Sequence, residues 1–175
     1  MTRILVFACA LMLTGCVTTG PQEVPPEAER IRDFVTRASA AYGKPPLYIV
    51  VVDVLDRAAI AYNVGEIQVA RAVLASKGDI EPLLAHEVGH YVLGHNNNFT
   101  LDPNRELAAN SEAVRILTTL NGGDEQIAFR RVYNWLSGMH QSGRQARGHF
   151  TACVEINALL DAFPAQRVAF KRCAF

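Results

Sequence analysis

The chain has no excess charge of either sign: 17 basic residues stand against 17 acidic ones, and no block of like charge occurs anywhere. This excludes the basic face of a nucleic-acid-binding protein and leaves nothing for electrostatic adhesion to an anionic membrane. Long apolar runs are missing too. The longest, Ile4 to Leu13, has ten residues, too few to span a bilayer as a helix. There is no internal repeat, one tryptophan, and four cysteines, none in a C-x-x-C pair. What is present is globular in character: half of the 175 residues are hydrophobic and 19% charged, enough for one domain but not comfortably two.

The N-terminus reads as a targeting segment. Arg3 precedes the Ile4–Leu13 stretch, which has the length of a signal-peptide core. Leu13-Thr14-Gly15-Cys16 looks like a bacterial lipoprotein cleavage box. That resemblance implies removal of residues 1–15, a lipidated Cys16, and anchorage in the cell envelope facing the periplasm. The alternative is a plain secretory signal with a stray cysteine. Val17 follows where an aspartate would favour the inner membrane, so the sorting expectation is the outer membrane. Residues 16–26 then form a polar, proline-rich tether, and 27–175 the folded domain. Cys9 leaves with the signal and Cys16 carries lipid. Cys153 and Cys173 remain, and in an oxidising compartment they are expected to form a disulfide. A metal pair is the other option, but they lack the short spacing usual for one.

The chemistry is concentrated in Leu84-Ala85-His86-Glu87-Val88-Gly89-His90. On a helix, residues four apart share a face, so His86 and His90 can present two imidazoles to one metal ion, with Glu87 beside them as a base. An ordinary core helix carrying these residues by accident is the alternative. The flanking Leu83, Leu84, Val88, Tyr91, Val92 and Leu93 make the helix apolar nearly all round and therefore buried. Burying two histidines and a glutamate without partners would be costly, and a metal removes that cost. Zinc in a catalytic site takes three protein ligands and leaves a fourth position open, so a third ligand is required.

Helical spacing of Ile31, Phe34, Val35 and Ala38 predicts a helix over 27–42, ended by Gly43. Residues 47–55 read as a strand apolar on both faces, hence internal, and 58–64 and 66–74 as further strands. Asp79 is expected to cap the His86 helix, with Pro82 in its first turn and Asn96-Asn97-Asn98 ending it. Asp102-Pro103 opens a helix to about Leu120, Asp124 one through Trp135, and Thr151 a last one to about Phe163. Residues 137–149 read as a loop. The second helix supplies the third ligand: Glu106 and Asn110 share a face, so Glu106 can complete a His-His-Glu site while Asn110 holds the outer N–H of a ligating histidine. A surface glutamate beside Arg105 is the alternative for Glu106. Glu112 lies off that face, in a solvent-facing or packing role. His95 reads as a helix-end histidine favoured by the dipole rather than a ligand. Trp135 and Tyr133 read as core or helix-packing residues rather than a ligand cage, and Asn98-Phe99-Thr100 as a sequon without meaning in a bacterial lipoprotein.

Several stretches in order resemble the M48 family of zinc metallopeptidases, of the gluzincin group: Ala61–Val69 as the strand along the substrate cleft, His86–His90 with Gly94-His95 as the active-site helix, Arg105–Asn110 as the third-ligand motif E-x-x-A-D, and Gly148-His149-Phe150-Thr151 as a late segment whose histidine faces the site. Only the first histidine motif and the glutamate motif are specific. The resemblance covers roughly residues 58–160. It implies an α+β, zincin-like minimal metalloprotease domain, a small mixed or antiparallel sheet packed on the active-site helix and further helices. The chain departs from the pattern at Asn110 (aspartate in the family), Phe150 (proline) and Glu155 (arginine).

The expectation that follows is a zinc endopeptidase of the envelope, binding one Zn2+ per chain through His86, His90 and Glu106. Glu87 is the general base. By the resemblance His149 stabilises the oxyanion, with His140 and Tyr133 as substitutes. Its partners are unfolded or extended polypeptides lying against the strand near Val64–Val69, as in protein quality control; the lipid is its membrane contact, and no nucleic acid is involved. The rival readings are a catalytically weak or inactive zinc-stabilised lipoprotein serving as a chaperone-like or adaptor module, and an adaptor with no metal.

Overall fold

The computed structural model describes residues 26–53, 59–62, 65–76, 78–95, 102–143, 145 and 148–174. The signal segment, Cys16, most of the tether, Asn96–Asn98 and the sequon lie outside the described residues. The fold is α+β: helix α1 (Pro26–Ala40), strands β1 (Tyr48–Val52), β2 (Ala59–Tyr62) and β3 (Glu66–Ala70), then helices α2 (Arg71–Leu74), α3 (Glu81–Val92), α4 (Pro103–Leu120), α5 (Glu125–Gln141) and α6 (Ala152–Ala162), with a 3-10 turn at Pro164–Val168.

Ile31, Phe34, Val35 and Ala38, one stripe of α1, are all buried. They join a core built from Leu84, Ala85 and Val88 of α3, Val114 and Leu117 of α4, Phe129, Val132 and Leu136 of α5, and Ile156, Leu159 and Leu160 of α6. The sheet contributes Ile67 and Val69 from alternate positions of β3, as the period of two requires.

The sheet order is β1-β3-β2, with β1 parallel and β2 antiparallel to β3. This corrects two expectations. β1 is not internal: among the described residues it pairs with β3 alone, its residues are half-buried, and Tyr48 is exposed. Its apolar run has α1 as a neighbour and sets Ile49 against the core, without a strand on each edge. The third strand stops at Ala70, because Arg71-Ala72-Val73-Leu74, helix formers apart from the valine, turn at once into α2.

α4 and α6 begin where their caps predict. Asp102 accepts from the Asn104 amide, Thr151 from that of Val154, and Pro103 occupies the first turn of α4. α3 starts one residue later than its expected cap allows, with Ile80 at the N-cap; Asp79 still accepts from the Glu81 amide at 3.3 Å. It ends at Gly94 rather than the asparagines. Gly94 takes φ +67°, and the His95 and Gly94 amides bond back to the carbonyls of His90 and Tyr91, the paired bonds of a Schellman turn. α5 runs six residues past Trp135, because Leu136 and Met139 prolong its apolar face and Gly138 costs a helix only ~1 kcal/mol; the loop expected over 137–149 is correspondingly shorter.

Cys153 and Cys173 form the expected disulfide, which staples α6 to the C-terminal tail across 20 residues and by loop entropy contributes ~3 kcal/mol. Asn157 reinforces it with two hydrogen bonds to the backbone of Cys173.

The start of α3 is tied to α5 by Arg131, which donates to both oxygens of Asp79 (2.6 and 2.7 Å) and to Glu81 (2.7 Å). Burial raises the Asp79 pKa, but the hydrogen bonds and charge of Arg131 outweigh it and hold the carboxyl below its ordinary range. A carboxylate with a depressed folded pKa adds stability above its unfolded pKa and loses it as pH falls through the folded value. Because Asp79 is half exposed, solvent screens the pair. Arg131→Met is therefore expected to cost only ~1 kcal/mol at pH 7, and the gap to close at an acid pH below the ordinary aspartate range. Urea titrations of both proteins at the two pH values check this; a gap independent of pH contradicts it.

Candidate metal centre

α3 and α4 cross closely at one point. A Cβ added at Gly89 would lie 3.0 Å from the Ala109 carbonyl oxygen and 3.3 Å from the Glu112 Cβ, so only glycine fits there without a shift. That approach brings His86 and His90 of α3 against Glu106 and Asn110 of α4. His86 Nε2, His90 Nε2 and Glu106 Oε2 lie 3.1 Å from one another, and the three residues form a candidate metal-binding group. His86 is 2% exposed and Glu87 7%, so the face predicted from the sequence is buried.

The outer nitrogen of each ring has its own partner. His86 Nδ1 donates to Asn110 Oδ1 at 2.8 Å, as expected from the shared helical face. His90 Nδ1 lies 2.9 Å from His95 Nδ1. The sequence reading missed this contact, which exists because the Gly94 turn folds His95 back over the last turn of α3; Gly94-His95 itself was the available signal. Burial, then the neighbouring His90 and Arg105, push the His95 pKa down. A neutral His95 can accept the His90 proton. His149 Nδ1 lies 3.0 Å from Glu155 Oε1, and its Nε2 reaches 3.2 Å from Glu106 Oε2. Glu155 Oε2 also accepts from Asn110 Nδ2 at 3.0 Å. The sequence treated Glu155 as a departure only; it is in fact the buried link between Asn110 and His149.

The electrostatics favour a cation. Burial of His86 opposes a positive charge, yet the hydrogen bond with Glu106 and the charges of Glu87, Glu106 and Glu155 lift its pKa to about 9. Burial also opposes ionisation of Glu106, but His86 and His90 hold its carboxyl well below the usual range. A proton on His86 and a metal ion answer the same field. For metal–donor distances of ~2.1 Å in a tetrahedral shell, donors should stand ~3.4 Å apart, close to the separations seen. Two imidazole nitrogens and a carboxylate oxygen suit zinc among the divalent ions.

Other expectations are corrected. Glu112 takes the packing role of the two expected, not the solvent-facing one: it is buried, pairs with Arg115 at 2.8 Å and bonds Tyr42, whose pKa burial and this carboxylate raise. Tyr133 donates to the Lys171 carbonyl and stacks on Phe129, away from the centre. His140 lies at the exposed end of α5, 3.6 Å from Cys173 Sγ. It forms a second cluster with Cys153 and Cys173, but those sulfurs are bonded to each other and do not serve as thiolate ligands. Trp135 packs on the core and against the His86 ring, at 5.4 Å. β3 has neighbours on both sides, so no peptide can pair with its edge; among the described residues β2 pairs with β3 alone.

No protein-family model matches this chain, and no curated protein and no solved structure matches it. Fold and site define an α+β domain with a candidate His-His-Glu metal centre.

The purified chain is expected to hold about one zinc, Glu106→Ala to lose it, and Gly89→Ala to bind it more weakly because its methyl group must part the two helices. Elemental analysis and chelator competition measure this. Zinc retained undiminished in both variants would contradict the ligand set.

Proposed function

We propose that this chain is a zinc-dependent endopeptidase of the bacterial cell envelope, zincin-like and related to the M48 gluzincins. The observation that carries the proposal is the convergence of His86 Nε2, His90 Nε2 and Glu106 Oε2 within 3.1 Å of one another, beside the buried Glu87. His86, His90 and Glu106 would hold the ion. Lewis acidity is what zinc supplies when bound: it polarises a carbonyl and brings the pKa of water toward neutrality.

The chain's own residues handle the protons. Glu87 takes one from the attacking water as its oxygen bonds to the scissile carbonyl carbon, and gives it to the amine nitrogen as the C–N bond breaks. His149, held at Nδ1 by Glu155, donates from a protonated Nε2 to the carbonyl oxygen as charge develops there. An extended substrate would add to the outer edge of β2, since β3 is paired on both sides. Backbone pairing reads little side-chain sequence, which suits unfolded polypeptides and a part in quality control. The N-terminal lipoprotein box supports anchorage facing the periplasm, with the outer membrane as destination.

A second reading keeps the zinc and drops the turnover, leaving a zinc-stabilised binding module. It draws on Asn110, a neutral residue where the resembling family has an aspartate, which makes His86 a less basic ligand.

Zinc-loaded wild type is expected to digest unfolded casein, and Glu87→Gln to lose about a thousandfold or more of that rate with zinc content unchanged; removing a base that acts in the transition state costs on the order of 10²–10⁴. A peptide digest followed by mass spectrometry reads both. Equal inertness of the two zinc-loaded proteins would overturn the peptidase and favour the binding module.

A further inference from the structure

We propose that Glu155 is the positioning residue of this centre, a single buried anion that fixes the orientation of two imidazoles, His86 and His149, one directly and one through Asn110. The inference deepens the metal-centre reading and rests on it.

The argument runs along one chain of hydrogen bonds. Glu155 is 1% exposed, in the first turn of α6. Its carboxylate can only accept, and it does so twice, from His149 Nδ1 at 3.0 Å and from Asn110 Nδ2 at 3.0 Å. The amide of Asn110 must therefore turn its NH2 toward α6, which leaves Oδ1 facing His86 Nδ1 at 2.8 Å. A carbonyl oxygen accepts, so the His86 proton sits on Nδ1 and the Nε2 lone pair points at His90 and Glu106. The same logic puts a proton on His149 Nδ1 and turns its Nε2 toward Glu106. Every donor and acceptor along the path is settled by the charge at its middle. Without it the Asn110 amide could rotate, and an NH2 facing His86 would drive that ring's proton onto Nε2, where it blocks a metal. Two charge-assisted hydrogen bonds offset the burial of the carboxylate.

Charge transposition tests the idea. Asn110→Asp alone sets two buried carboxylates against each other with no proton between them. Glu155→Gln alone supplies an amide that accepts from one neighbour but points its own donor at the other. Together they restore every bond: the introduced aspartate accepts from His86 and from the introduced amide, whose oxygen accepts from His149. The pair keeps the net charge and moves it one residue inward.

The readouts are the side-chain 15N shifts of His86 and His149 in the full chain, taken after chelator treatment in alkaline buffer so that neither metal nor excess protons impose the tautomer, and the zinc dissociation constant from chelator competition. Wild type should carry both protons on Nδ1. Glu155→Gln should lose that uniformity, with zinc affinity down about tenfold to a hundredfold; Asn110→Asp, whose carboxylate still accepts from His86, should keep both protons on Nδ1 and lose thermal stability instead. The double variant should recover both. Thermal unfolding identifies a single variant that fails to fold, and the double variant then carries the test. Unchanged tautomers in Glu155→Gln, or a double variant as impaired as the two singles combined, would overturn the proposal. A wild type that binds no zinc would overturn the metal-centre reading and this one with it, whereas zinc bound normally beside unchanged tautomers in Glu155→Gln would overturn this one alone.

Discussion

Where α3 crosses α4, no side chain separates Gly89 from the carbonyl of Ala109, and that closeness sets residues 86 and 90 of one helix within reach of 106 and 110 of the other. Helix axes usually stand 8–10 Å apart according to the side chains between them. A larger residue at 89 would move Glu106 away from both histidines. The remaining elements hold this crossing in place: α1 and β2 pack against α3, Arg131 ties its start to α5, and the disulfide secures α6, which carries Glu155, to the tail.

Around the crossing, a group of ionisable side chains is buried that would be costly without charge balance. Glu87, Glu155 and His86 are all buried, with the neutral Asn110 among them. Each ring is held from behind by a different partner, His86 by Asn110, His90 by His95 and His149 by Glu155, so that all three turn Nε2 inward. Asn110 and Glu155 touch each other. Their amide and carboxylate place one negative charge behind the two histidines, one hydrogen bond from His149 and two from His86.

Much of this was legible because the signals are local. The stripe Ile31, Phe34, Val35, Ala38 determines the buried face of α1, and Asp102-Pro103 the start of α4. His86, Glu87 and His90 fall on one helix, and Glu106 with Asn110 on another at the spacing of one turn. Other long-range partnerships were not legible. The apolar run of β1 says that its faces are covered, not that β3 lies on only one side of it. Glu155 meets Asn110 across 45 residues, and no pattern near either position announces it. His95 depended on a chain reversal at Gly94 whose angle the sequence permits without dictating. Glu112 looked peripheral by helical phase alone, because the helix wheel omits Tyr42, which closes over it from the end of α1.

Zinc-edge X-ray absorption on the metal-loaded chain addresses the central claim most directly. The account predicts nitrogen and oxygen donors at ~2.0–2.1 Å, multiple scattering from two imidazoles, and no sulfur. A sulfur shell at ~2.3 Å would move the metal to Cys153, Cys173 and His140 and contradict the assignment of the centre to His86, His90 and Glu106.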